Sequence, residues 1–375
     1  MMPHVPWGLL GATLCVALIG IFNLASASRS PHTPVWISQS AYLAVGLVAL
    51  VGVAAVDDRF IQRMAVPIYV LNIALLIALK FFGHKAKGAE SWFVLGPIRV
   101  QPAELMKIGM VLMLAKFFHD DERGAAEGYG FLRLIPPTLL FMVPLGLVLA
   151  QPDLGTALMM FFTALTMMLF ARVRWWVWGV LGLGVAVAAG VLWNDYIREQ
   201  PEPRVTVVRQ LLKKHQDRRI AGWLDPESDP KGANYHALQS KIAVGSGGVF
   251  GKGWMKGTQT GLFFLPEQHT DFIFSVWAEE QGFLSCLGLL VLYGFILMSA
   301  LGVAFNARDR FGAFVAVGVA AMLFWQVFEN IGMVSGILPV TGITLPLMSY
   351  GGSSMVSVMI GMGLLVNIGM RRHIF

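Results

Sequence analysis

The residues with most chemistry to offer stand together in FFLPEQHTDFIFSVWAEEQG, positions 263–282, where Glu267, His269, Asp271, Glu279 and Glu280 run directly into apolar sequence. A carboxylate taken out of water costs several kcal/mol unless it is paired, hydrated or neutralised. So dense a group at the mouth of an apolar segment points to catalysis at the outer face of a membrane. Asp271 is the sharpest of them, because the residues that follow it are apolar. A carboxylate there can act as a general base when a substrate hydroxyl comes within hydrogen-bond reach. The position also suits capping, with Thr270 or Asp271 accepting the first free amides of a following helix. Glu279, Glu280 and, further on, Glu329 are expected to pair with polar groups inside a helical bundle.

A second constellation opens the run QPAELMKIG, where Glu104 and Lys107 are spaced to share one helix face. A helix entering the membrane near Gln101 carries Lys107 about 9 Å below the boundary. The pair can be a plain ion pair, or it can line a polar cavity in which Lys107 helps to hold an anion. Further basic residues, Arg204, Arg218, Arg219, Lys241, Lys252 and Lys256, crowd the one long polar stretch. Together they suit a phosphate or pyrophosphate, where charge builds on a departing group.

The elements that must position these groups are transmembrane helices. Of the 375 residues, 56% are hydrophobic and 13% charged, the composition of an all-α polytopic membrane protein rather than a soluble domain. The net charge of +6 is scattered over loops and forms no nucleic-acid-binding tract, so no nucleic-acid partner is expected. The two cysteines, Cys15 and Cys286, lie in apolar runs and build neither a disulfide framework nor a zinc site. The first apolar stretch, Trp7–Ala27, lacks a basic leader and a small-residue cleavage site and reads as a retained span.

About 20 apolar residues cross the hydrocarbon layer. Ten segments qualify, near 7–27, 35–56, 64–83, 101–118, 131–150, 155–171, 177–193, 271–305, 312–333 and 350–370. With both termini cytoplasmic, the short inner connections carry eleven Lys and Arg against five outside, which selects that orientation. The chain then reads as one integral membrane domain, 1–375, with a large extracytoplasmic loop, 194–270, between helices 7 and 8.

Within that loop, Arg204–Ala221 has the spacing of an amphipathic helix, LDPESDPKGANY is turn chemistry, and YHALQSKIAVG is a short helix closed by Gly245. GSGGVFGKGWMKGTQTG is too rich in glycine for a regular element. Two further connections, HKAKGAESWFVLGPIRVQP and SGILPVTGITLPLMSYGGSS, are apolar enough to dip into the membrane, which is tolerable only beside protein or a watery cavity, and both place an aqueous pocket on the outer side. The chain shows no internal repeat of the sort common in secondary transporters.

Seven separated blocks carry a resemblance: QPAELMKIGMVLMLAKF, QPDLGTA, WLDPESDPKGANYHALQSKIAVGSGG, GKGWMKGTQT, FLPEQHTDFIFSVWAEEQGF, NIGMVSGILPVTGITLPLMSYGGSS and the terminal RRHIF. In them the chain resembles the SEDS family (shape, elongation, division and sporulation), and ILPVTGITLP with NIGM resembles its elongation branch more than its division branch. The resemblance implies ten transmembrane helices and a peptidoglycan glycosyltransferase that polymerises lipid II into β-1,4 glycan during elongation. It places the family's essential aspartate at Asp271, its loop tryptophan at Trp92, and a Glu and Lys at Glu104 and Lys107. ESWF and PAEL depart from the commoner forms of their blocks, the first leaving the placement of Trp92 looser than that of Asp271.

The substrate-binding set expected around Asp271 is then Trp92, Glu104, Lys107, Arg219, Lys241, Glu267 and His269. No organic cofactor is implied; a divalent cation, Mg2+ or Mn2+, would help to hold a pyrophosphate. Implied partners are lipid II, the nascent glycan strand, a class B penicillin-binding protein acting as transpeptidase, and membrane proteins of the elongation complex. A lipid II flippase, or a noncatalytic scaffold for a transpeptidase, is the alternative reading.

Overall fold

A computed structural model of the chain describes residues 5–28, 34–82, 84–86, 89–95, 98–196, 223, 235–262, 264–265 and 267–371. Ten helices of 17 residues or more follow the apolar runs among these residues. They are α1 (Trp7–Ala27), α2 (Val35–Ala55), α3 (Asp58–Phe82), α4 (Pro102–Asp120), α6 (Phe131–Ala150), α7 (Leu154–Phe170), α8 (Trp175–Tyr196), α11 (Ile273–Phe305), α12 (Arg310–Ser335) and α13 (Gly352–Met370). Short helices α5 (Glu122–Glu127), α9 (Tyr235–Ser246) and α10 (Thr258–Gly261) join them. Seven are long and apolar enough to cross a membrane: α1, α2, α3, α6, α11, α12 and α13. Among the others, α4 carries Glu104, Lys107 and Lys116 and is shortened as an apolar run by them.

α12 and α13 form the centre. Most of both is buried, because other helices cover them on several sides, whereas α2, α3 and α6 turn much of their apolar surface outward, toward lipid. Glycine allows close approach at the centre: Gly363 on α13 meets the backbone of Leu50 on α2, and Gly318 on α12 meets Val111 on α4. Asp309 caps α12 by accepting from Gly312 N at 2.8 Å, and Asp153 caps α7 by accepting from Thr156 N at 3.0 Å.

One connection takes a form that the sequence did not indicate. HKAKGAESWFVLGPIRVQP forms a small antiparallel sheet of β1 (His84–Ala86), β2 (Ala89–Leu95) and β3 (Ile98–Val100), with β2 in the middle. The register pairs Ala86 with Ala89 and Leu95 with Ile98, so the apolar residues that suggested depth are those of a short hairpin ladder. The Gly245 stop is nearly met, α9 ending one residue later. The expected helix at 204–221 and the turns after Trp223 lie outside the described residues.

The 33-residue α11 is broken. Regular geometry would make it about 50 Å long, well beyond a hydrocarbon layer of about 30 Å. Gly282, at φ 75° and ψ −176°, interrupts it. The lower part, Phe283–Phe305, spans about 34 Å by itself. The upper part contacts α1 twice: Asn23 Nδ2 donates to Ile273 O at 3.0 Å, and Ser26 Oγ donates to Glu280 Oε1 at 2.6 Å.

Candidate active site

Asp271 sits in a tight turn, 267–272, immediately before α11. Thr270 N and Phe272 N both donate to Glu267 O, at 3.1 and 3.4 Å, and Thr270 Oγ1 reaches Glu267 Oε2 at 3.3 Å. The N-cap position of the helix is Phe272, one residue after Asp271, and the Phe272 side chain makes no cap hydrogen bond. Main-chain contacts fix the turn from several elements instead. Asn330 of α12 donates through Nδ2 to Asp271 O at 2.9 Å and to Ile343 O at 2.6 Å. Ser349 Oγ donates to Thr270 O at 2.6 Å, Tyr350 N to His269 O at 2.9 Å, and Gln268 Nε2 to Ala27 O at 2.8 Å.

The wall facing Asp271 is the irregular segment 337–351. Gly342 approaches Asp271 at φ 83°, a backbone conformation that favours glycine, and a Cβ there would stand in ordinary van der Waals contact with Asp271 Oδ2 at 3.4 Å. Residues 343–349 of this segment are mostly buried without helix or strand, and side chains bond part of its backbone. Gln39 Nε2 donates to Ser349 O at 3.0 Å, Gly351 N donates to Gln39 Oε1 at 3.2 Å, and the Tyr293 hydroxyl donates to Pro346 O.

The other predicted residues that are described gather at the same end. Lys107 Nζ donates to Glu104 Oε1 at 2.9 Å, and both side chains are buried. Ser357 Oγ on α13 donates to Glu104 O at 2.9 Å. One turn before it, Ser353 Oγ accepts from Gln101 N at 2.9 Å and donates to Arg99 O at 3.2 Å. α4 and β3 are thereby tied to the helix that follows the Asp271 wall. Trp92 is half-buried on β2, paired through the same small sheet. His269 stacks loosely near Tyr350, with ring centroids 6.2 Å apart. Lys241 is exposed on α9, and its side chain lies across Gly336, the left-handed C-cap of α12, where any Cβ would strike it. Cations are favoured at that end of a helix. Arg219 lies outside the described residues.

The three remaining acids do not share one fate. Glu280 accepts from Ser26, as expected. Glu279 is fully buried, yet its partners come from the glycine-rich segment and not from the bundle. Glu329 departs from the expectation: it is buried, and neither carboxylate oxygen has a hydrogen-bond partner among the described residues. A pocket of about 400 Å³ lies at the opposite end, lined by Asp58, Arg308, Asn367 and Arg371 among others, and none of the predicted site residues lines it.

His236, on α9, approaches the turn from the side, its ring 6.3 Å from that of Phe272. Burial holds its pKa below the ordinary value, partly offset by the nearby Glu267 carboxylate. Among the described residues no three His, Cys, Asp or Glu side chains cluster to hold a metal ion.

Sequence reasoning missed the residues that hold the turn and its wall: Asn330, Ser349 and Gln39. The available signal was a polar residue inside an apolar span, which is retained where it meets a specific partner.

Fold and site define a polytopic helical membrane protein with a carboxylate-bearing turn clamped at one end of its bundle. The family model of FtsW/RodA/SpoVE cell cycle proteins matches residues 5–374, and the chain belongs to that family. It is 42% identical to the peptidoglycan glycosyltransferase MrdB of Escherichia coli K12, over 88% of this chain and 84% of that one. Its structure matches a chain of a peptidoglycan synthase complex that coordinates polymerization and crosslinking, with a TM-score of 0.79 and 33% identity over 98% of both chains. It also matches an aspartate-to-alanine mutant of the rod shape determining protein RodA from Thermus thermophilus, with a TM-score of 0.71 and 31% identity over 98% of both.

Proposed function

We propose that the protein is a peptidoglycan glycosyltransferase of the elongation type, working at the outer face of the cytoplasmic membrane with Asp271 as its general base. The observation that carries this reading is the construction of the 267–272 turn. Several elements are spent on holding the main chain around one partly exposed carboxylate. Preorganisation of that kind is what proton abstraction needs.

In the transfer, the C4 hydroxyl of the acceptor sugar attacks C1 of the donor disaccharide. Asp271 takes the hydroxyl proton, the new C–O bond forms with inversion to a β-1,4 linkage, and the bond from C1 to undecaprenyl pyrophosphate breaks. Negative charge grows on the departing pyrophosphate, and Lys107, Lys241 and Arg219 are the cations assigned to it. Trp92, Glu267 and His269 are assigned to the sugars and their approach. Lys107 is paired with Glu104 in this structure, so its part is to keep that end of α4 electrically balanced beside an anion. No step is derived through a metal ion.

Lipid tails stay in the bilayer while the sugars meet the turn. Ten spans follow from the apolar runs, and the eleven-to-five distribution of Lys and Arg in short loops supports both termini inside and the 194–270 segment outside. A class B penicillin-binding protein supplies crosslinking beside it, and membrane proteins of the elongation complex surround the pair.

The test is reconstitution in liposomes carrying lipid II. Polymer formed from lipid II already on the outer leaflet supports the assignment; relocation of lipid II without polymer identifies a flippase; neither activity leaves a scaffold.

A further inference from the structure

The break in α11 is filled by another part of the chain. In an unbroken helix Phe283 N and Leu284 N would donate to the carbonyls of Glu279 and Glu280. Here they donate to Gly248 O and Val249 O, at 2.9 and 3.2 Å, while Glu279 O and Glu280 O accept from Lys252 N and Gly253 N, at 3.1 and 2.9 Å. Backbone 248–253 is thus spliced into the gap and satisfies all four of these groups. The fit is glycine against glycine: Gly251, at φ 78°, and Gly282 are so close that a Cβ on either would overlap the other strand's backbone.

From the turn just above the break, the fully buried Glu279 carboxylate gathers the next part of the same segment. Its Oε1 accepts from Lys252 Nζ at 2.7 Å, Thr258 N at 2.8 Å, Gln259 N at 2.9 Å and Thr258 Oγ1 at 3.1 Å. Its Oε2 accepts from Thr260 Oγ1 at 3.0 Å and Thr260 N at 3.2 Å. Both oxygens are fully engaged inside this joint, so Glu279 is not a group that meets substrate.

The joint matters because of what hangs from it. The half-helix Ile273–Gln281 runs from Glu279 directly back to Asp271, with Ser275 bonded to Ser240 of α9 at 2.8 Å on the way. Its ends are about 12 Å apart. A small rotation at the joint therefore moves Asp271 against the Gly342 wall, and a displacement of about 1 Å at a reacting group costs about a hundredfold in rate.

We propose that Glu279 is a positioning residue for the transfer, holding the spliced glycine-rich segment and thereby the half-helix that sets Asp271. This rests on the assignment of Asp271 as the base. The test measures lipid II polymerisation by Glu279→Gln in the full-length protein, together with amide hydrogen exchange. The amide nitrogen of glutamine can accept none of the bonds that its site supplies. Expected are a fall in kcat of about tenfold or more with KM for lipid II unchanged. Faster exchange is expected at residues 247–260 and 267–275, with exchange in α4 at the parental level. A parental kcat, or a raised KM with kcat intact, overturns the proposal. Should Glu279→Gln fail to fold, Lys252→Met, which leaves the four spliced backbone bonds in place, undergoes the same kinetic test: a fall in kcat alone supports the proposal, and a parental kcat overturns it. Asp271→Asn run alongside separates the two readings. If it is inactive while Glu279→Gln is normal, only the positioning role is wrong; if it polymerises normally, the base assignment is wrong whatever Glu279 does.

Discussion

Glu104 and Lys107 neutralise each other on one face of α4, where neither side chain meets water. Removing one partner leaves a buried charge, which costs about 3–5 kcal/mol, far more than the net worth of the pair. Lys107→Ala should accordingly show a large loss of thermal stability in detergent, and the double change Glu104→Gln, Lys107→Met a distinctly smaller one. A second prediction concerns His236. Burial favours its neutral form, so the folded state binds its proton less readily than the unfolded chain. The stability this supplies is complete above the ordinary histidine pKa and is lost as pH falls from there through the lowered value. Amide exchange of α9 should thus quicken between about pH 7 and pH 5, and His236→Leu should remove that pH dependence. The Glu104–Lys107 pair was legible from spacing because helical neighbours are local. The partners of Glu279 were not, since Thr258, Gln259 and Thr260 approach it only through a splice that no periodicity encodes.

At the level of elements, the helices were read from long apolar runs to within a few residues at most ends, because a run of that length has one economical structure in lipid. The small sheet was read as a re-entrant segment, since its short apolar strands owe their ladder to a hairpin partner rather than to length. The break at Gly282 was also hidden, glycine being tolerated within membrane helices. Gly282→Ala should be severe. It demands a positive φ of a residue with a Cβ and drives that Cβ into the 249–251 backbone, so the variant should unfold at lower temperature and lose polymerising activity. Gly288→Ala, six residues below in the same helix with open space around its Cβ position, should be close to parental in both measurements.

Across the whole molecule, the polar machinery lies at one end of the bundle. The other end is closed by Arg371, which bonds Asp57 at 2.8 Å and Val56 O at 2.7 Å, and by Asn367, which donates to the carbonyls ending α2. The orientation in the membrane predicts that an impermeant thiol reagent added outside intact cells labels Lys256→Cys but not Arg308→Cys, in a background lacking Cys15 and Cys286. The reverse pattern would put the Asp271 turn on the cytoplasmic side. The most direct test of the account is the rate at which purified, folded Asp271→Asn polymerises lipid II. A fall of at least about a hundredfold with the thermal transition preserved is the predicted result; polymerisation at the parental rate would contradict it.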